Sequence, residues 1–162
     1  MTPSAPFLRP AEAKDRETLI GFLLGLNRHE ATIQSDRRLD RVAAERCYEE
    51  MLAKVSERGG AVIIAEMGGE PAGFIAWHVE MDDAYIRDDL VRHADIAELY
   101  VAEPFRRQGL ARVLLAKAER MIREAGLPRY FIGVLDGNDG AAAAYRQAGL
   151  KPYLSLLVKE LD

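Results

Sequence analysis

The chain has 162 residues, 49% hydrophobic and 30% charged, with 22 Lys and Arg against 26 Asp and Glu for a net charge of −4. This is an ordinary globular composition, long enough to bury a core as one domain, and it excludes disordered and fibrous classes. The acidic balance argues against a nucleic-acid partner, a single cysteine excludes an intramolecular disulfide or a multi-cysteine zinc site, and no apolar run approaches the ~20 residues of a membrane helix.

The opening MTPSAPFLRP lacks the basic and apolar regions of a signal peptide, so the expectation is a soluble cytoplasmic protein. Phe7–Arg9 reads as a short strand stopped by Pro10. From about Asp15 to Arg28, Leu19, Ile20, Leu23, Leu24 and Leu26 follow a helical spacing, and residues 29–40 read as a polar loop. A second helix carries Ala43, Cys47, Met51 and Val55 at steps of four and ends at Gly59-Gly60. Cys47 falls on that apolar stripe and reads as core.

The period then changes. Ala61–Met67 and Gly73–Val79 flank Gly68-Gly69 and predict a β-hairpin, with Trp77 read as a packing residue. The acidic stretch from Glu80 to Asp89 reads as a solvated loop before a strand near Ala94–Val101. Leu110, Val113, Leu114, Ala118, Met121, Ile122 and Ala125 mark one face of a long helix that Gly126 and Pro128 stop. Tyr130–Leu135 predicts a strand, Gly140–Ala148 a short helix, and Tyr153–Val158 a last strand. Three successive strands suggest antiparallel pairing and the later alternation suggests a parallel crossover. The fold class is therefore α/β, a central mixed β-sheet with helices on both faces.

The junction from Leu99-Tyr100-Val101 to Arg106-Arg107-Gln108-Gly109-Leu110-Ala111-Arg112 is the most informative segment. A strand gives way to a long helix whose first N–H groups are unpaired and electropositive. Gly109 and Ala111 let an anion approach the main chain, and Arg106, Arg107 and Arg112 raise the local potential. The segment fits a phosphate or pyrophosphate cradle, although it is neither a P-loop nor a GxGxxG fingerprint.

Arg106-x-x-Gly109-x-Ala111 after Leu99-Tyr100-Val101, together with Asn138-Asp139-Gly140-Ala141, Tyr145 and Gly149-Leu150, resembles the GNAT superfamily of N-acetyltransferases. Ala111 stands where a second Gly is commoner, and Leu150 where Phe is more usual. The resemblance covers roughly residues 60–158, with the cofactor-binding half at about 94–158 of one GNAT-like domain. It implies transfer of an acetyl group from acetyl-CoA to a primary amine of a small molecule or peptide. No metal is expected, because amide formation from a thioester needs no Lewis acid, and a homodimer is one assembly the resemblance suggests.

By the same resemblance, the pantetheine arm would lie beside Leu99, Tyr100 and Val101. The pyrophosphate would sit over Arg106, Arg107, Gln108, Gly109, Leu110, Ala111 and Arg112, with Asn138 holding the far side of the cofactor. Tyr145 would protonate the departing thiolate. For a general base the resemblance points six and four residues before Val101, to Asp95 and Ala97. Simple alternation places Asp95, Ala97, Leu99 and Val101 on one face and Ile96, Glu98 and Tyr100 on the other. Asp95 is then the better candidate, and Glu98 becomes one if a bulge changes the parity. The alternative to an enzyme is a CoA-binding sensor or partner-binding module on the same fold. His29, His78 and His93 lack metal-ligand spacing.

Overall fold

In the computed structural model, which describes residues 5–161, five strands form one sheet in the order β1-β2-β3-β4-β5. The strands are β1 (Phe7–Pro10), β2 (Gly60–Met67), β3 (Glu70–Met81), β4 (Arg92–Val101) and β5 (Tyr130–Ile132). The first four pair antiparallel and β5 joins β4 in parallel. Gly68 and Gly69, both at positive φ, make the tight turn between β2 and β3. The helices are α1 (Arg16–Ala31), α2 (Arg41–Arg58), α3 (Leu110–Glu124) and α4 (Asp139–Gln147).

Alternation along the strands supplies two apolar faces. Val62, Ile64, Phe74 and Ala76 meet Leu19, Ile20 and Leu23 of α1 and Ala44, Tyr48 and Met51 of α2. Ile63, Ala65, Ile75, Trp77 and Ile96 meet Leu110, Leu114, Leu115, Ala118 and Ile122 of α3. The expected mixed sheet covered on both faces is observed. Behind β1, the Arg9 guanidinium bridges Asp15 and Glu66 at 2.7 Å each, holding the entry to α1 against the sheet. The Arg9 hydrogen bonds hold the Asp15 carboxyl down at about 2.

Several boundaries differ from expectation. α1 continues through Ala31, so His29 and Glu30 are helical and not part of a loop. β3 is longer than Gly73–Val79 because β4 pairs with it from Val101 back to Arg92. β5 stops at Ile132, short of Leu135.

The last predicted strand is corrected outright. Residues 151–161 carry no strand pairing, and Tyr153 to Val158 stand exposed. Local apolar content marks a segment able to form a strand, but a strand needs a paired edge, and among the described residues this segment pairs with none.

A bulge decides how β4 is used. Asp95 and Ile96 oppose His78 and Trp77, whereas Glu98 and Leu99 oppose Ala76 and Ile75, so Ala97 is the extra residue. The β4–β5 ladder covers only Ala94, Ile96 and the residue between them. Past Ala97 the bulged strand bends away and its edge has no strand beside it.

Candidate active site

The free edge of β4 follows from hydrogen-bond bookkeeping. The Ala102 N–H donates to the Ala72 carbonyl, so the even-numbered positions just before it, Tyr100 and Glu98, turn their main chain toward β3. Leu99 and Val101 turn theirs to the open side. Tyr100 therefore differs from its expected use as a main-chain contact. Its ring packs at 5.5 Å from Phe22, under the Arg106 guanidinium at 5.7 Å. The Nε of Arg106 also donates to the Val101 carbonyl at 3.0 Å, which fastens the loop to the strand.

Beyond that bond the loop turns sharply into α3. Arg107 has φ 62, an uncommon conformation for a non-glycine residue, and Gly109 has φ 79 as the α3 N-cap. Gln108 Nε2 donates back to the Pro104 carbonyl at 3.2 Å. Arg107, Gln108, Gly109 and Arg112 are exposed, while the Leu110 side chain is buried in the core, so Leu110 can offer only its main chain. The first helical N–H groups thus point out beside two exposed arginines, an anion cradle built at the end of an open strand edge.

Gly109 is the position to challenge. A Cβ there would meet no atom within 4 Å, yet φ 79 suits only glycine without strain. Gly109→Val should cost on the order of 1 kcal/mol in stability and put a branched side chain where a diphosphate must approach. The expected result is a folded protein whose CoA affinity falls at least about tenfold, measured by calorimetry. Unchanged affinity would remove the anion role from this loop.

The bulge overturns the parity expected for β4. Opposed residues share a face, so Asp95 with His78, Glu98 with Ala76 and Tyr100 with Phe74 all lie on the α1/α2 side. Ile96, Leu99 and Val101 lie on the α3 side. Asp95 and Glu98 are thus brought together, and Leu99 and Val101 are separated from Asp95. Extra residues of this kind leave no mark in a one-dimensional alternation.

Environment distinguishes the two carboxylates. Burial, followed by the charge of Glu30 at the end of α1, pushes Glu98 up to about 7, with Lys54 opposing. Asp95 is raised too, chiefly by burial, but its side chain keeps 37% exposure and lies 3.8 Å from the buried His78 ring. Glu30 is half-buried and paired with Arg37 at 2.6 Å. Its influence on Glu98 could not be read from the sequence, because the two lie 68 positions apart and meet only through packing of α1 on the sheet.

Tyr145 sits on α4, a helix capped by the Asn138 side chain, which accepts from Ala141 N at 3.3 Å. Asn138 therefore has a local task, capping α4, that the expectation of a cofactor contact did not include. The helix closes with Gly149 at φ 93 and a Leu150 N–H bond to the Tyr145 carbonyl at 3.0 Å. Burial, followed again by the Glu30 charge, raises the Tyr145 hydroxyl to about 12. The charge of Glu30 thus raises both Glu98 and Tyr145.

The other polar candidates find local partners. Glu80 lies in β3 and not in the expected loop, and it pairs with Arg58 of α2 and with His78; Asp82 pairs with Arg129 and His93, and within the loop Asp89 pairs with Arg87. Cys47 is half-buried against the α1/α2 core, and burial raises its thiol. Trp77 is a core residue whose Nε1 is buried without a partner among the described residues. In those residues no group of three or more His, Cys, Asp or Glu is placed to hold a metal ion, and no helix is long and apolar enough to cross a membrane.

An open parallel strand edge, a glycine-capped anion cradle and a tyrosine on the following helix occur here together and in that order. Residues 29–150 match the model of the acetyltransferase (GNAT) family. The chain belongs to the GNAT family. Among relatives of this GNAT protein, a thialysine N-epsilon-acetyltransferase of Caenorhabditis elegans is 36% identical over 83 residues, 51% of this chain. The match spans 48% of that relative's length. The aminoglycoside N-acetyltransferase AAC(6')-Iy in complex with CoA superposes with a TM-score of 0.73 at 17% identity, covering 98% of this chain and 95% of its own. A GCN5-related N-acetyltransferase from Ralstonia eutropha JMP134 gives 0.73 at 18% identity, covering 96% and 99%. At these identities the superpositions establish a shared GNAT fold.

Proposed function

We propose that this protein is an N-acetyltransferase that moves the acetyl group of acetyl-CoA directly to a primary amine of a small molecule or peptide. The observation that carries the reading is the free edge of β4 beyond Ile96, running into the glycine-capped start of α3. The CoA complex of the aminoglycoside enzyme and the amine acceptor in the thialysine enzyme's name support it.

Leu99 and Val101 offer main-chain groups to the pantetheine amide, as an added strand would. The N–H groups from Arg107 to Arg112 receive the diphosphate, with Arg107 and Arg112 supplying charge and Asn138 bordering the far side. Glu98 is the proposed base. A carboxyl near 7 is half ionised at neutral pH, strong enough to take a proton from an approaching ammonium and weak enough to release it. Asp95, more exposed and turned to His78, helps hold the acceptor.

The amine nitrogen then attacks the thioester carbonyl, the C–N bond forms and the C–S bond breaks. Tyr145 donates its proton to the leaving sulfur, and the proton shed by the acylated nitrogen restores the phenol, giving a neutral amide and free CoA thiol. The raised hydroxyl keeps Tyr145 protonated until the thiolate develops. Holding both reactants in one cleft removes much of the entropic cost of their encounter. Asp95, Glu98 and Glu30 on one side of the site favour a cationic acceptor.

The working compartment proposed is the cytoplasm, and the working form a homodimer. The test is a panel of amines with acetyl-CoA, following thiol release, beside thermal unfolding with CoA. CoA at 100 times its dissociation constant should add ~2.7 kcal/mol of stability. CoA binding without turnover on any amine would favour the sensor or partner-binding alternative, and no CoA effect would overturn both.

A further inference from the structure

His78 is buried, titratable and without a part in the acetyl transfer itself. Its side chain is 2% exposed, and it pairs with Gly60 of β2 on one side and Asp95 of β4 on the other. A Cβ at position 60 would run into the Trp77 carbonyl and the His78 Cα, so glycine there lets the β2 main chain close on β3.

A polar ring enclosed in this way has to be answered by polar partners. They form a chain. Arg58, the last residue of α2, pairs with Glu80, and Glu80 Oε1 lies 3.0 Å from His78 Nε2. The same nitrogen stands 3.8 Å from Asp95 Oδ2, too far for a hydrogen bond but close enough for a charge to act. His78 and Glu80, two apart on β3, share the α1/α2 face with Asp95. One end of the chain is therefore open to solvent at Arg58 and Glu80, and the other is the carboxylate that borders the acceptor.

The electrostatics run the same way. Burial raises Asp95 and the charge of His78 opposes it, while Glu80 adds to the rise and Lys54 of α2 and His93 of β4 resist it. Imidazoles carry charge in the acidic range where carboxyls titrate, so one set between two carboxylates favours the ionised form of both. Without the ring, Glu80 and Asp95 would act on each other as like charges on neighbouring strands.

We propose that His78 is a positioning residue for the acceptor amine, which, held from behind by Glu80 and Arg58, keeps the Asp95 carboxylate charged at the border of the cleft. The proposal rests on the acetyl-transfer reading, in which Asp95 helps hold a cationic acceptor. A neutral Asp95 loses that attraction, so His78 sets how far into acid the enzyme keeps its grip on the amine.

The test measures acceptor KM and kcat separately from about pH 4 to 8, beside a carbon NMR titration of the Asp95 carboxyl. The proteins compared are native, His78→Leu and His78→Gln. Leucine removes both donor and charge, so the Asp95 midpoint should rise by about one pH unit and acceptor KM by up to about tenfold on the acid side. The pH dependence of kcat should stay native, because Glu98 and Tyr145 are untouched. Glutamine reaches the Nε2 position with an amide donor, so it reads the same link should the apolar variant fail to fold. Its midpoint and KM should fall between native and leucine. A merely structural role would lower melting temperature and kcat and leave the Asp95 midpoint in place, which overturns the proposal. Native KM in acid for either variant does so as well. Asp95→Asn separates the two readings. A native acceptor KM there overturns the proposal through the acceptor role of Asp95, whereas the NMR midpoint, which needs no substrate, reads the link from His78 by itself.

Discussion

Tyr145→Phe should lower turnover by about 10²–10⁴-fold while leaving CoA affinity and melting temperature close to native. The substitution keeps the ring and its packing beside the α3 core and deletes only the hydroxyl. That oxygen matters chiefly as the C–S bond breaks, so its loss falls on the transition state and not on the ground-state complex. The hydroxyl sits well above a thiol in acidity scale, at about 12, so the transfer depends on its position against the developing thiolate. The check is steady-state kinetics on the best acceptor with CoA binding measured separately. Near-native turnover would return Tyr145 to a packing role, and a parallel loss of CoA affinity would make it a cofactor-positioning group.

Glu98→Gln should have the next largest effect, and its sign differs between activity and stability. With native Glu98, kcat/KM should rise with pH through about 7 as the carboxyl ionises. Gln keeps the shape but cannot take a proton. Activity at neutral pH should fall by about 10²–10³-fold and the rise near 7 should vanish, leaving only the ionisation of the acceptor amine. Stability should move the other way.

The folded-state value of Glu98 lies above its usual 4.5, so the native protein holds that proton more tightly than the unfolded chain does. The resulting stabilisation is fully present below 4.5 and is lost as pH rises through about 7. Gln stays neutral throughout and does not lose it. The variant should therefore gain on the native protein between pH 5 and 8, by a few kcal/mol at most, roughly 1.4 for each unit of displacement. Chemical denaturation of both proteins across that range measures it. A variant no more stable at pH 8 than the native protein would mean that Glu98 is not held in its neutral form by burial. An unchanged pH–rate profile would move the base role to Asp95 or a water chain.

Parts of this picture were legible without coordinates. The apolar stripe of α3 was plain because Leu110, Leu114, Ala118 and Ile122 recur at the helical period and nothing competes with it. The hairpin was plain because two glycines separate two apolar runs. The strand-to-helix junction at Gly109 was readable because glycine at such a turn is local chemistry. The face of Glu98 was not, since its parity turns on one extra residue at Ala97, and a bulge shows only when the opposing strand is in place. The displaced acidity of Glu98 was equally hidden, because burial and the charge of Glu30 act through space.

The C-terminal segment draws the line most clearly. Its sequence by itself determined that Tyr153 to Val158 are apolar, uncharged and able to extend, just as it determined the class of fold and the glycine junction, because composition, period and turn chemistry are properties of neighbouring residues. Only the tertiary structure decided that this segment is left unpaired among the described residues, that β4 parts from β5 at Ala97, and that the charge of Glu30 raises both Glu98 and Tyr145. Strand pairing, bulge parity and buried charge are relations between residues far apart in the chain, and they take their values only when packing brings those residues together.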